Sequence, residues 1–223
     1  MNRPPPFRLL AITPPTGAVD PSAVTRWCGA AEVGVAVLLR EVTTPRAALD
    51  RNGRLHALAE LAREQGLPVL WSVDCATLLR TPADALQRVD GVQLRGDPSA
   101  SELARARDHL GHGWIGRSVH GGPVQAPPGQ TPAADYAVFA PVFSPRTTTV
   151  GRSSKKAAGV QALRAWAGAT RGVFALGGVG AATAAACVTA GAWGLASIHA
   201  FFGAADVEHE VAAMAAALRP TPP

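Results

Sequence analysis

Apolar residues along this chain fall into short continuous runs rather than strict alternation. Eight such runs recur, at 7–13 (FRLLAIT), 33–40 (VGVAVLLR), 68–73 (PVLWSV), 91–95 (GVQLR), 114–118 (WIGRS), 136–142 (YAVFAPV), 172–178 (GVFALGG) and 194–198 (GLASI). Strands covered on both faces read this way, as in a parallel sheet. Between the runs, apolar positions at helical spacing predict helices over 22–32, 45–65, 99–110, 159–168, 181–191 and 206–219. Gly66-Leu67-Pro68 stops the second of these. Ser99, with Glu102 three positions on, opens the third as a capping box, and Gly111 closes it. Strand and helix alternate, with eight strands. The expected fold is therefore α/β, a single (β/α)8 TIM barrel over residues 1–223. One unit departs from the pattern. The stretch 121–136 carries Pro123, Pro127, Pro128 and Pro132. Proline costs ~3 kcal/mol in a helix interior, so the fifth helix is expected to shrink to a loop or a single turn.

Composition narrows the partners. The 223 residues carry a formal charge of +5, spread along the chain without a basic block. That favours an anionic small ligand such as a phosphate ester. Aromatic and basic residues are not interleaved, so no nucleic-acid partner is expected. Cys28, Cys75 and Cys187 are far apart and in no metal-ligand spacing, which argues for plain thiols. Residues 172–205 lack Asp, Glu, Lys and Arg, and a membrane span needs ~20 apolar residues. Glycines at 177, 178, 180, 191 and 194 interrupt the stretch, so strand, turn, helix and strand fit better than a span. "MNRPPPFRLLAIT" holds no apolar run long enough for a signal peptide, which makes the cytoplasm the expected compartment.

In such a barrel the C-terminal strand ends and the loops after them build the site. This selects Arg40 and Glu41, Ser72 and Asp74, Gln93 and Arg95, Ser118 and His120, the polar basic loop 144–158, Gly177 and Gly178, and Ser197, Ile198, His199 and Ala200. "ALGGVGAAT" (175–183) ends a strand in glycines and opens a helix, so its backbone N–H groups can face an anion. "ASIHAF" (196–201) supplies the other half of a phosphate cup; a tight turn that merely needs glycine is the alternative. His120 follows its strand directly and precedes two glycines. An imidazole with a reference pKa of ~6.5 gives and takes a proton near neutrality, though a merely hydrogen-bonded strand-end histidine reads the same. His56, His109 and His112 fall on helices or their ends and are expected to face solvent, as is His209 between Glu208 and Glu210; His199 lies near the mouth. Arg40 suits an anionic substrate or a neighbouring carboxylate. Lys155 and Lys156 could close over a phosphate or simply be solvated.

The ordered set "LLAIT", "VLLRE" (37–41), "DGVQL" (90–94), "IGRSVH" (115–120), "ADYAVFAPVF" (134–143), "ALGGV" (175–179) and "AGAWGLASI" (190–198) resembles the thiamin phosphate synthase and TenI superfamily over nearly the whole chain. Within it, "GRSVH" and "VQL" resemble the TenI branch. That likeness implies an isomerase that aromatises a thiazole carboxylate phosphate without a cofactor or metal, with His120 as acid/base. Arg40 and Ser118 would position the carboxylate, and the backbone around Gly177, Gly178 and Ser197 to Ala200 would hold the phosphate.

The synthase branch instead joins a pyrimidine diphosphate to a thiazole phosphate with Mg²⁺. It needs an Asn-Asp pair after the third strand, where "WSVDCAT" offers only Asp74 nearby. Asp97 could match a second metal ligand. Val42 replaces the lysine that usually follows Arg-Glu, and Arg146 and Thr147 match the sixth loop in part. A barrel that binds a phosphorylated thiazole without turning it over is the third reading. A homo-oligomer is expected, with Trp193 and the Ala-rich seventh helix available to bury against a partner.

Overall fold

A computed structural model describes residues 4–40, 53–121, 134–144 and 156–219. Eight parallel strands close into a barrel in sequence order, β1 to β8. They are β1 (Leu9–Ile12), β2 (Val35–Leu39), β3 (Val69–Val73), β4 (Gly91–Leu94), β5 (Trp114–Val119), β6 (Tyr136–Phe139), β7 (Val173–Ala175) and β8 (Gly194–Ser197). Closure comes from β8 pairing with β1, Leu10 opposite Ala196. All eight coincide with the runs read from sequence.

The continuous apolar runs separate into two cores by strand parity. Leu9 and Ala11, Val35, Val37 and Leu39, and Val69, Trp71 and Val73 point outward and pack under the helices. Leu10 and Ile12, Ala36 and Leu38, Leu70, Tyr136, Val138, Phe174 and Ala196 point inward and fill the barrel. Burial on both faces is why these strands do not alternate with polar residues.

The helices are α1 (Ala23–Cys28), α2 (Arg54–Glu64), α3 (Cys75–Leu79), α4 (Ala83–Leu86), α5 (Ala100–Leu110), α6 (Gly159–Ala169), α7 (Ala181–Thr189), α8 (His199–Phe202) and α9 (Val207–Leu218). Ser99 and Glu102 make the expected capping box on α5, and Gly111 ends that helix at φ 70°. Three short helices escaped the sequence pattern. Between β3 and β4 the connection splits into α3, capped by the Asp74 carboxylate on the Thr77 N–H, and α4, which starts after Pro82. The four-residue α8 directly follows β8. None of the three is long enough to show a helical period. The expected reduction of the fifth helix, like the first part of the helix read at 45–65, lies outside the described residues. No described helix is long and apolar enough to cross a membrane.

The N-terminal end of the barrel is sealed. Phe7 meets Trp114, Tyr136 and Phe174, with ring centroids 6.3, 5.7 and 5.7 Å away. Gly194 makes room for this cluster, since a Cβ there would lie 2.4 Å from the Phe174 ring. Arg8 lies 4.8 Å over the half-buried Trp193 and donates to the carbonyls of Trp193 and Leu218. The family-like aspartates at this end are structural. The Asp90 carboxylate accepts from the Val69 N–H and the Asp135 carboxylate from the Ile115 N–H, so each ties neighbouring strands together. α7 packs its buried Ala184 and Cys187 inward, chiefly beside α9.

Candidate active site

Above the apolar filling, the inward positions turn polar toward the strands' C-terminal ends. Ser72 and Gln93 are both buried, as is Thr13 just after β1. Gln93 on β4 donates from Nε2 to Ser118 Oγ on β5, at 3.2 Å. Between them stands Gly116. A Cβ there would lie 2.1 Å from Gln93 Oε1 and 2.3 Å from the Tyr136 ring, so glycine alone leaves room for both side chains. Gln93 Oε1 and the Tyr136 hydroxyl are buried without a hydrogen bond to the described residues. Burial, with the neighbouring Asp135 charge, pushes the Tyr136 phenol far above its usual range. Arg40 ends β2, its N–H bonded to Thr13 Oγ1 at 2.6 Å. The first and second strand ends are thereby joined just below the mouth.

His120 continues the inward parity of Gly116 and Ser118. Its Nδ1 lies 2.8 Å from both carboxylate oxygens of Asp97. Asp97 reaches it because the chain after β4 turns left-handed at two successive residues, Gly96 (φ 85°) and Asp97 (φ 52°). The His120 side chain is 35% exposed and that of Asp97 58%. A guanidinium also acts on Asp97, that of Arg117. Burial lowers the affinity of Arg117 for its proton, and the Asp97 charge partly restores it. The Arg117 guanidinium itself lies 5.6 Å over the Trp166 ring.

Asp74 and Asp97 are the carboxylates that could hold a divalent cation. Asp74 accepts from Thr77, on one oxygen from the N–H and on the other from the hydroxyl, and faces Arg95 at 3.7 Å. Asp97 has both oxygens on His120. Mg²⁺ wants carboxylate oxygens free to complete a near-octahedral shell with water and phosphate. Each aspartate already faces a cationic or proton-bearing group of the chain, and the end of the third strand, "WSVDCAT", holds no asparagine-aspartate pair. No group of three or more His, Cys, Asp and Glu among the described residues is arranged to hold a metal. The described side chains do not fit a built magnesium site.

The glycine loop after β7 packs against the loop after β6. The Val142 and Phe143 N–H groups donate to the Leu176 and Gly177 carbonyls. Gly177 (φ 96°) and Gly178 (φ 64°) are both left-handed. A Cβ on Gly177 would meet Pro141 at 2.6 Å, and one on Gly178 would meet Phe143 at 2.7 Å. The glycines therefore serve a tight turn and a close approach at once. The N–H groups of Gly177, Gly178 and Val179, and those of Ile198 and His199 on the neighbouring loop, make no hydrogen bond to the described residues. Ser197 Oγ joins the two loops, donating to the Val179 carbonyl and accepting from the Ala200 N–H. The open end of α7 is not part of this set. Its Gly180 N–H goes to Thr183 Oγ1, and its Ala181 N–H goes to Glu210 of α9, at 2.7 Å. The cup thus consists of loop amides, and a carboxylate of the chain already holds the helix terminus.

The remaining histidines divide. His56 and His209 lie on outer helix faces. His109 and His112 do not face solvent as expected: His109 Nε2 bonds the Thr81 carbonyl, and His112 bonds those of Leu110 and Val89. Both rings bridge backbone turns. His199 is half-buried on α8. Glu41, Val42, Arg146, Thr147 and Lys155 lie outside the described residues; Lys156 is exposed at the near end of the sixth loop. Sequence reading missed Asp97 as the partner of His120, and Glu210 as the cap of α7. The Gly96-Asp97 pair after a strand was the available signal for the first; nothing local marked the second.

Comparison with known proteins agrees with this geometry. A family model described as Thiamine monophosphate synthase matches residues 9–201. The chain is 30% identical over 172 residues to a thiamine-phosphate synthase of Geobacillus kaustophilus, covering 76% of this chain and 72% of that one. It is 34% identical over 164 residues to a thiamine-phosphate synthase of Thiobacillus denitrificans, covering 73% and 72%. The thiamine phosphate pyrophosphorylase structure from Pyrococcus furiosus shares the fold, with TM-score 0.68 and 21% identity over 95% of both chains. The barrel and its ordered strand-end motifs thus have one source: the chain belongs to the thiamine monophosphate synthase (TMP-TENI) family of thiamin-biosynthetic enzymes.

Proposed function

We propose that the chain is a transferase that joins hydroxymethylpyrimidine diphosphate to thiazole phosphate, yielding thiamin phosphate and diphosphate. The observation that carries this reading is the identity of about a third, over some three-quarters of the chain, to two proteins named thiamine-phosphate synthase. In this reading the thiazole phosphate sits on the N–H groups of Gly177, Gly178, Val179, Ile198 and His199, with its ring toward Ser118. The ring nitrogen forms a bond to the pyrimidine methylene carbon as the C–O bond to diphosphate breaks, and the diphosphate leaves with the electron pair. Arg40 and Arg95, at the ends of β2 and β4, supply the positive charge that the leaving group needs. No step is assigned to a metal ion.

One observation favours a second reading. The His120–Asp97 pair has no step in the transfer, whereas it suits a tautomerase. There His120 takes a proton from the dihydrothiazole carboxylate phosphate and returns it at the exocyclic position, leaving an aromatic ring. Acid/base groups of this kind contribute ~10²–10⁴-fold.

A two-part assay decides. Purified protein with thiazole phosphate, pyrimidine diphosphate and Mg²⁺ should release diphosphate and form thiamin phosphate. If it does not, and the non-aromatic thiazole carboxylate phosphate is aromatised without metal in a reaction that His120→Gln loses, the tautomerase replaces the transferase. Silence in both parts, with phosphate binding retained, leaves a ligand-binding barrel.

A further inference from the structure

We propose that Asp97 is the positioning residue of His120, accepting a hydrogen bond from Nδ1–H and so leaving Nε2 as the ring's bare, proton-accepting nitrogen. Three observations converge on it. Both Asp97 oxygens lie 2.8 Å from Nδ1. An ionised carboxylate only accepts, so the proton shared between them belongs to the ring nitrogen. His120 Nε2 makes no hydrogen bond to the described residues.

The third observation is the backbone. Asp97 is the one non-glycine residue at positive φ among the described residues. A left-handed backbone is uncommon outside glycine, although Asp adopts it more readily than most residues, and a solvent-exposed ion pair adds little stability in return. The side chains of the pair are 35% and 58% exposed, so stability does not account for holding Asp97 in this conformation. A strained residue whose side chain grips a mouth histidine is accounted for by what it does to that histidine. Left to itself, a neutral imidazole favours the proton on Nε2, which would turn its lone pair away from the open side. The carboxylate reverses that choice.

The inference rests on the reading that His120 moves a proton at this mouth, but its first test needs no substrate. The full chain, labelled with ¹⁵N in its histidine rings, is compared with Asp97→Gly; His120→Gln assigns the signal. Glycine removes the carboxylate and also relaxes the left-handed turn, so the fold is expected to persist. Unchanged signals from the other histidines verify this. At a pH where the ring is neutral, wild-type His120 should be protonated at Nδ1, and the Asp97→Gly ring should move its proton to Nε2. A wild-type ring protonated at Nε2, or a variant ring still protonated at Nδ1, overturns the proposal. In the aromatisation assay, where His120 moves the proton, Asp97→Gly should lower kcat at least tenfold while KM stays within about twofold. Combined with His120→Gln it should cost nothing further, as expected of groups that act as a unit. An unchanged kcat overturns the catalytic part even if the tautomer moves.

Discussion

The two ends of this barrel are built from opposite materials. At the N-terminal end, Phe7, Trp114, Tyr136 and Phe174 pack ring against ring, Arg8 covers Trp193, and Asp90 and Asp135 tie neighbouring strands. At the C-terminal end the inward side chains are Ser72, Gln93, Ser118 and His120, and the N–H groups of Gly177 to Val179, Ile198 and His199 make no hydrogen bond to the described residues. The boundary is sharp. At Gly116 a single missing Cβ lets a ring from the sealed side and an amide from the open side meet. The contrast teaches that stability and chemistry are kept apart in the barrel, as is usual for such folds. Damage at one end should therefore leave the other largely intact.

The largest effect expected from breaking this division is at the sealed end. Phe174→Ala removes a fully buried ring that contacts Phe7 and Tyr136. Buried Phe→Ala changes cost ~3–5 kcal/mol. For a chain of this size that lowers Tm by roughly 6–20 °C. The folded fraction should still bind inorganic phosphate with a Kd within about twofold of wild type, measured calorimetrically below the transition. A large loss of phosphate affinity with little change in Tm would show that the two ends are not separate.

The next effect sharpens the contrast from the open side. Gly177→Ala forces a Cβ to 2.6 Å from Pro141 in a residue at φ 96°. The loop must shift, and strain of this kind costs ~1–3 kcal/mol. Here the ligand should suffer more than the fold. Phosphate affinity should fall at least tenfold, because the amides of Gly177 to Val179 are re-aimed, while Tm falls by less than in Phe174→Ala. Unchanged phosphate affinity would mean that these glycines serve the turn alone.

The sealed and open ends also differed in how far sequence reached them. Every strand was legible, because strands buried on both faces make unbroken apolar runs such as "VAVLL" and "VLWSV". α5 was legible to its caps, because Ser99, Glu102 and Gly111 carry local chemistry. At the mouth, sequence located His120, Ser118 and the two glycines by their place after strands. It could not pair them. The Asp97–His120 contact joins positions 23 apart and depends on a two-residue left-handed turn. The Glu210 cap on α7 spans 29 positions and has no local signal. The Gln93–Ser118 bond depends on the register of β4 against β5, in which Gln93 faces Gly116. Residue types were thus readable where geometry was local, and their partners were set by closure of the barrel.

The smallest expected effect tests whether the open end holds charge for chemistry or for stability. Asp74 caps α3 through Thr77 and faces Arg95. Burial by itself would raise its pKa, but the hydrogen bonds from Thr77, with help from Arg95, outweigh it and hold the carboxyl below its usual value. A carboxyl whose folded pKa is depressed binds its proton more weakly folded than unfolded. It therefore stabilises the fold fully above the unfolded pKa of about 3.9, and that contribution is lost as pH falls through the lower folded value. Asn caps a helix about as well as Asp but does not titrate. Asp74→Asn should therefore be slightly less stable than wild type at pH 6, and the gap in Tm should close between pH 4 and more acid conditions, read from thermal melts at matched ionic strength. The side chain is 45% exposed, so solvent screens the pair and the gap at pH 6 should be small. Diphosphate release at pH 7 separates the roles. An Asp74→Asn enzyme that turns over normally assigns Asp74 to the cap. One that is folded but inactive assigns it to the reaction, and would move the boundary between the stable and the chemical half of the barrel one residue beyond β3.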